Sequence, residues 1–346
     1  MDAGGVDRRE ALHRSIVIWV GLFVLTIAAL VSAVGILNRE LFSATTFVRL
    51  YLEALADHDV PGALATPGVK LTSGDEAGTG EAALVTPDAL GGITRISEVS
   101  EVSDTEIIPG RHRIVYSYTL TGTGDQQVEG QTEFDVVQTG TSWLVFPEWE
   151  FLRSPTARAE VTVSHASTFT AGTVQVSAGD AGAFRANRSY DLLVPSLTAL
   201  GHTSHYLGAY PSKLVATSTG SSVSAIVDVQ PTTRFLDEVQ TTVHDFLADC
   251  ATETLLYPPG CPFGLEVDDR IVSEPDWSIE TFPALTIIAG QDSWVVPTAS
   301  GSAHVRVDIR SLFDGAVTTI DRSIPYDVTF ALSIEPDGAI QFAPRG

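Results

Sequence analysis

The chain has 346 residues, with 20 lysines and arginines against 43 aspartates and glutamates, a formal net charge of −23. This length allows two or three domains. An acidic excess of this size repels phosphate backbones and anionic head groups, which argues against nucleic acid as a partner. Lysine occurs only at Lys70 and Lys213, so no basic stripe remains that could follow a phosphate chain.

The run from Ser15 to Leu37 contains no charged residue and predicts one transmembrane helix. Its 23 residues span about 34 Å, enough for a hydrocarbon core of about 30 Å. Trp19 lies near one end, where an interfacial indole is expected. Arginines are slightly denser before the run than after it, which favours a cytoplasmic tail over residues 1–14. We therefore expect a single-pass protein of the cell membrane, with the lipid bilayer as its first partner and the remaining domains extracytoplasmic.

A cleaved signal peptide is the alternative interpretation of the same segment. Val31, Ser32 and Ala33 are small residues of the kind that precede a cleavage site. Against cleavage after Ala33, the apolar run is longer than the 7–15 residues typical of a signal peptide. It also continues beyond that site to Leu37, so the segment is interpreted as an anchor.

A first folded domain is predicted over residues 42–152. Phe47, Leu50, Tyr51, Ala54 and Leu55 form one apolar stripe with helical spacing, and Thr45 or Thr46 can cap its start. The strands that follow alternate in period two between Gly-rich turns, which is typical of an antiparallel meander. One face of this meander is predicted to point inward, namely Ile114, Tyr116, Tyr118, Leu120, Thr132, Phe134 and Val136.

The helix FVRLYLEALADHDVPGALA is thus followed by strands reading RIVYSYTLTG, EGQTEFDVVQTG and SWLVFPEWEF. This order resembles the nuclear-transport-factor-2-like (cystatin-related) α+β cone. The resemblance implies a curved sheet wrapped around a helix, and a place beside a membrane anchor. Enzymes of that family carry acid–base groups inside the cone, whereas the inward face predicted here carries no carboxylate–histidine pair.

Residues 157–230 are rich in Thr, Ser, Val and Gly, and their short apolar runs predict a small β-sandwich. The segment GHTSHYLGAY within them predicts a loop. Its His202 and His205 are three residues apart, a spacing that does not supply the ligand set zinc needs, so hydrogen-bonded or solvated histidines are expected. Tyr206 and Tyr210 predict an exposed aromatic surface for a ligand, such as a glycan, or for a partner.

Residues 232–346 predict a third domain, a helix from about Phe235 to Leu247 followed by antiparallel strands with hairpin turns at Asp314-Gly315 and Asp337-Gly338. Cys250 and Cys261 are the two cysteines of the chain, and their proximity predicts a local disulfide formed in an oxidising compartment. Their segment, Cys…Pro-Pro-Gly-Cys-Pro-Phe-Gly, resembles an element of actinobacterial single-pass membrane proteins. That resemblance implies an envelope setting and assigns no site.

The predicted fold class is therefore α+β: one transmembrane helix, an α+β cone, a small β-sandwich and a second helix-plus-meander domain. We expect no catalytic, cofactor-binding or metal site, because the sequence has no nucleophile elbow, phosphate loop or zinc-binding helix motif. The predicted function is a non-catalytic binding or scaffolding role toward an envelope protein or a wall polymer. The alternative is an envelope enzyme or small-ligand carrier that uses the cone as a pocket.

Overall fold

The computed structural model describes residues 6–91, 95–122, 127–143, 145–180, 182–335 and 337–344; the first five residues of the predicted tail lie outside these ranges. Its first element, α1 (Val6–Glu40), contains the predicted span. Between Arg14 and Glu40, an 18-residue window of this helix has a mean hydropathy of 2.6, and none of that window is buried. Among the described residues it is the helix that is long and apolar enough to cross a membrane. The predicted apolar helix is thus confirmed by length and composition.

The chain forms an α+β fold that divides into two compact units. The first unit extends to Glu160 and includes Ser189–Ala199 and Lys213–Val223. The second contains Val161–Arg188, Leu200–Ser212 and the chain from Ser224 onward. This grouping differs from the three consecutive domains predicted above, because β-strands formed by residues 156–231 contribute residues to both units.

The first unit contains three short α-helices and a four-stranded sheet. Ser43 caps the first of these helices by accepting a hydrogen bond from Thr46 N, two residues before the first of the predicted threonine caps. The bounds are α2 (Ala44–Ala56), α3 (Val60–Ala65), α4 (Pro87–Gly91), β1 (Arg95–Ile108), β2 (Arg111–Thr121), β3 (Gln127–Ser142) and β4 (Phe146–Phe151). The strands pair antiparallel in chain order, β1-β2-β3-β4, as predicted for a meander.

The core of the first unit lies between α2 and one face of this sheet. All seven side chains predicted to point inward are buried, which confirms the assignment of faces. They pack against Val48, Tyr51, Leu52 and Leu55 of α2. The Tyr51 ring lies 6.3 Å from that of Phe134 and 5.2 Å from that of Phe151, both in edge-to-face contact. Aromatic packing between helix and sheet therefore fills the interior of the first unit.

Residues 156–231 supply one curled seven-stranded sheet, ordered β7-β6-β9-β10-β11-β5-β8, where the sequence predicted two packed sheets. Its strands are β5 (Thr156–Ser164), β6 (Thr168–Ala171), β7 (Val174–Ser177), β8 (Arg185–Leu193), β9 (Ser196–Thr203), β10 (Leu207–Ala216) and β11 (Ser222–Pro231). The segment predicted as a loop forms the end of β9, a tight turn and the start of β10. Most of β9 is buried on both faces, so it lacks the alternation by which strands are recognised.

The second unit packs a helix against a six-stranded sheet. Of the six residues with the predicted helical spacing, helix α5 (Thr233–Cys250) buries Phe235, Val239, Val243 and Leu247, whereas Thr242 and Phe246 are exposed. The strands are β12 (Arg270–Ile271), β13 (Asp276–Thr281), β14 (Ile288–Ala289), β15 (Trp294–Arg310), β16 (Val317–Ile334) and β17 (Ile340–Pro344). Gly315 and Gly338 have φ of 77° and 87° in the two predicted hairpin turns, a backbone conformation that glycine adopts without a steric penalty. Cys250 and Cys261 form the predicted disulfide.

Candidate functional site

The interior of the four-stranded sheet contains hydroxyl groups, and they are satisfied by the protein itself. Tyr116 Oη donates to the Thr45 carbonyl (2.9 Å), and Tyr118 Oη is hydrogen-bonded to Thr132 Oγ1. Thr132 in turn donates to the Thr217 carbonyl (2.7 Å). Tyr51 Oη lies 3.0 Å from the carbonyl oxygen of Val194. These groups hold the core together and are not left free for a ligand.

Burial also fixes the protonation state of these tyrosines. It raises the pKa of Tyr116 and of Tyr118 to about 12 and raises that of Tyr51 further. Loss of the phenolic proton would place a charge in the apolar interior, which desolvation opposes. The three phenols therefore remain neutral at physiological pH and cannot act there as general bases.

These shifts predict that the first unit loses stability in alkaline solution. The folded pKa of Tyr118 is about 12, against about 10 in an unfolded chain. The neutral buried phenols stabilise the folded state fully below about pH 10. This stabilisation is lost as the pH rises through about 12, because the phenols of the unfolded chain lose their protons at a lower pH than those of the folded chain. In urea unfolding of the full chain in detergent, Tyr118→Phe should lower the stability of the first unit most at about pH 8 and less at about pH 11. A difference from wild type that does not change with pH would contradict this.

A partly buried ionic network, centred on the buried Asp191, lies in the same unit. Asp191, which has no exposed surface, accepts hydrogen bonds on one carboxylate oxygen from Ser73 N (2.9 Å) and Ser73 Oγ (2.6 Å). Arg158 Nη1 lies 3.3 Å from its other oxygen, and Arg158 Nη2 lies 2.7 Å from Glu81 Oε2. Both oxygens of Asp191 are thus engaged, so the network joins the loop after α3 to β5 and β8. No sequence signal indicates it, because Ser73 and Asp191 are 118 residues apart.

The predicted aromatic surface divides into one packed and one exposed ring. The Tyr206 ring lies 5.4 Å from that of Phe235, and its carbonyl accepts a hydrogen bond from Thr232 N (2.9 Å). Tyr206 therefore supports the start of α5. Tyr210, on β10, is 90% exposed and borders a shallow groove of about 260 Å³ between β10 and β11. Only Tyr210 therefore has the exposure that the predicted surface requires.

An apolar surface that was not predicted lies at the tip of the β15–β16 hairpin. Leu312 is 74% and Phe313 is 98% exposed, and Val317 is also exposed. The tip is nevertheless well ordered by hydrogen bonds: Phe313 N donates to Ser311 Oγ (3.2 Å) and Ser311 N to the Ala316 carbonyl (2.9 Å). The sequence signal for this surface is an apolar pair directly before the Asp-Gly turn, since turn residues are usually polar.

His304 is the centre of a polar cluster on the exposed face of the second unit's sheet. Its Nε2 lies 2.9 Å from Asp321 Oδ1, and its Nδ1 lies 3.6 Å from Glu280 Oε1. Ser278 and Ser323 are the residues directly opposite it on β13 and β16. A histidine between carboxylates can accept and donate protons, but this one is open to solvent, with 31% of its side chain exposed.

The two histidines considered as zinc ligands from the sequence make contacts within the protein. His202 is buried in β9, and its Nδ1 lies 2.9 Å from the Thr168 carbonyl. The His205 ring contacts the Tyr206 ring edge to face, and its Nδ1 lies 3.3 Å from Arg234 Nη1. Within the described part of the chain, no group of three or more His, Cys, Asp or Glu side chains is placed to hold a metal ion.

No protein-family model, curated protein or solved structure matches the chain. The resemblances noted from the sequence are therefore carried by the quoted residues alone.

Proposed function

We propose that the chain is a single-span membrane protein whose folded units lie on the extracytoplasmic side and act by binding or scaffolding rather than by catalysis. The apolar length of α1 supports the span. The Cys250–Cys261 disulfide supports the location, because such bonds persist in oxidising compartments. The acidic net charge of −23 supports folded units that are soluble outside the membrane.

The observation that carries the binding role is the filled interior of the first unit. A carrier or an enzyme of the cone type needs an open pocket with convergent polar groups. Here α2 side chains occupy that space, with Tyr51 and Leu52 fully buried and the inward strand residues packed on them. What remains for a partner is surface, and the hairpin tip with Leu312 and Phe313 supplies exposed apolar side chains of the kind that mark interaction sites.

Site-specific photo-crosslinking in intact membranes tests this proposal. A benzophenone amino acid at Phe313 or at Tyr210, both strongly exposed, should give a discrete cross-linked species. The same probe at Glu129, an exposed position of β3, serves as the control and should give none. If digestion with a wall-degrading enzyme lowers the apparent mass of the cross-linked species, the partner is a wall polymer. If the mass is unchanged, the partner is a protein. Identical patterns from all three positions would contradict a specific binding surface.

An envelope enzyme is the second candidate, and the His304 cluster is the observation that favours it. The His304 ring lies within ion-pair distance of a carboxylate oxygen of Asp321 and of one of Glu280. Turnover of an envelope substrate that is lost in His304→Ala and kept in His244→Ala, a histidine on α5, would favour catalysis over binding.

A further inference from the structure

The turn between β3 and β4 contacts the C-terminal end of α1. Asn38 Nδ2 donates a hydrogen bond to the Val145 carbonyl (2.8 Å). The rings of Phe42 and Phe146 stack with their centroids 4.3 Å apart. On the next strand, Trp149 Nε1 donates to the Phe42 carbonyl (2.9 Å). Two hydrogen bonds and one ring contact thus hold this turn and the start of β4 beside the end of the apolar helix.

The contact point lies at the level where an interface between lipid and water is expected. The uncharged run ends at Leu37, so Asn38 is the first polar residue after its apolar end. Trp19 lies near the other end, 19 positions before Asn38, which corresponds to about 28 Å of helix. This length matches a hydrocarbon core of about 30 Å. Asn38, and with it the turn, therefore lies about one bilayer thickness from Trp19.

The turn presents an indole to the outside at this level. Trp143 is 86% exposed, although tryptophan is usually largely buried. It has φ of 52°, a left-handed conformation that is uncommon for residues other than glycine. Val145, Leu41 and Phe42 nearby are also exposed apolar residues. Tryptophan favours membrane interfaces, because its ring is apolar and its N–H can still reach polar head groups.

We infer that Trp143 and Val145 insert into the lipid interface at the C-terminal end of α1 and hold the first unit against the bilayer. The inference rests on the proposed membrane span of α1. Trp19, in the helix, then lies at one membrane interface, and Trp143, in the folded unit, lies at the other. The occupant of this apolar surface is the bilayer, because the surface continues the lipid-exposed end of the helix.

Quenching by brominated lipid in nanodiscs with one full-length chain each tests this inference. The nanodiscs contain phosphatidylcholine, either unmodified or brominated near the head-group end of its acyl chains. Trp19→Phe removes the indole that lies within the span itself. The tryptophan fluorescence of the Trp19→Phe chain should be weaker in brominated than in unmodified nanodiscs, because lipid bromine quenches Trp143. This decrease should be smaller in the Trp19→Phe/Trp143→Phe chain.

Flotation of the same chains with vesicles separates this inference from the proposed span. If the chains float but the two variants are quenched equally, Trp143 does not contact lipid and the inference is wrong. If the chains fail to float, α1 does not insert and the proposed function fails as well. Trp143 emission that shifts only when several chains share a nanodisc would identify a second copy as the occupant, which also overturns the inference.

Discussion

Replacing Asp191 with alanine is expected to lower the free energy of unfolding of the first unit by about 2 kcal/mol, less than for a fully buried ion pair because Arg158 keeps 32% of its side chain exposed. The substitution leaves Ser73 N and Oγ without their acceptor and removes one of the two carboxylates that pair with Arg158. Ser73 N and Oγ lose their acceptor at a site only partly open to water, whereas Arg158, with 32% of its side chain exposed, regains part of its hydration. Urea unfolding of the full chain in detergent, followed by hydrogen exchange in peptides of each unit, measures the loss.

Two further variants define what Asp191 contributes. Asp191→Asn keeps the size of the side chain and one acceptor oxygen. The free energy of unfolding of this variant should therefore lie between that of the alanine variant and that of wild type. Glu160→Ala removes an exposed carboxylate from β5 and should change stability by no more than about 0.5 kcal/mol. Equal stability of Asp191→Ala and Glu160→Ala would show that the network does not stabilise the first unit.

Removing the disulfide is expected to destabilise the second unit by about 3 kcal/mol, because the bond closes a short loop whose freedom the unfolded chain would otherwise regain. Cys250 is buried at the end of α5, and Cys261 follows it by 11 residues. In the Cys250→Ala/Cys261→Ala chain, hydrogen exchange should accelerate in α5 and in the loop after it. Exchange in β1–β4 should not change, since both cysteines belong to the second unit.

Reduction of the wild-type chain provides the matched control for the disulfide. A reducing agent opens the bond without changing either side chain to alanine, so both experiments should destabilise the same peptides. Unchanged stability of the reduced chain would show that the packing around Cys250, rather than the cross-link, holds this region.

Local patterns predicted the parts of the fold that depend on neighbouring residues. Alternation along β2 and β3 identified the buried face, because a strand with one wet side places every second residue inward. The α5 stripe and the Gly315 turn followed from helical spacing and turn chemistry in the same way. The disulfide was predicted because its two cysteines are close in sequence and have no competing partner.

Contacts between distant segments could not be predicted by this reasoning. Strand β9 was missed because burial on both faces removes its alternation. The carboxylate of Asp191 meets Ser73 and Arg158 only after the chain has folded. The Trp143 turn is likewise joined to α1 by Asn38, 107 residues from its acceptor Val145. Pairings of this kind are set by tertiary structure and leave no periodicity in the sequence.

Labelling with a membrane-impermeant maleimide in intact cells tests the central claim most directly. The native cysteines are joined in a disulfide, so single cysteines can be placed at Phe313, which is 98% exposed, and at Asp2 in the N-terminal tail. We expect Phe313→Cys to be labelled in intact cells, Asp2→Cys only after lysis, and both chains to keep their full mass in the membrane fraction after carbonate washing. Labelling of Asp2→Cys but not Phe313→Cys in intact cells, or a soluble chain that begins at Val34, would contradict a single-span protein with extracytoplasmic folded units.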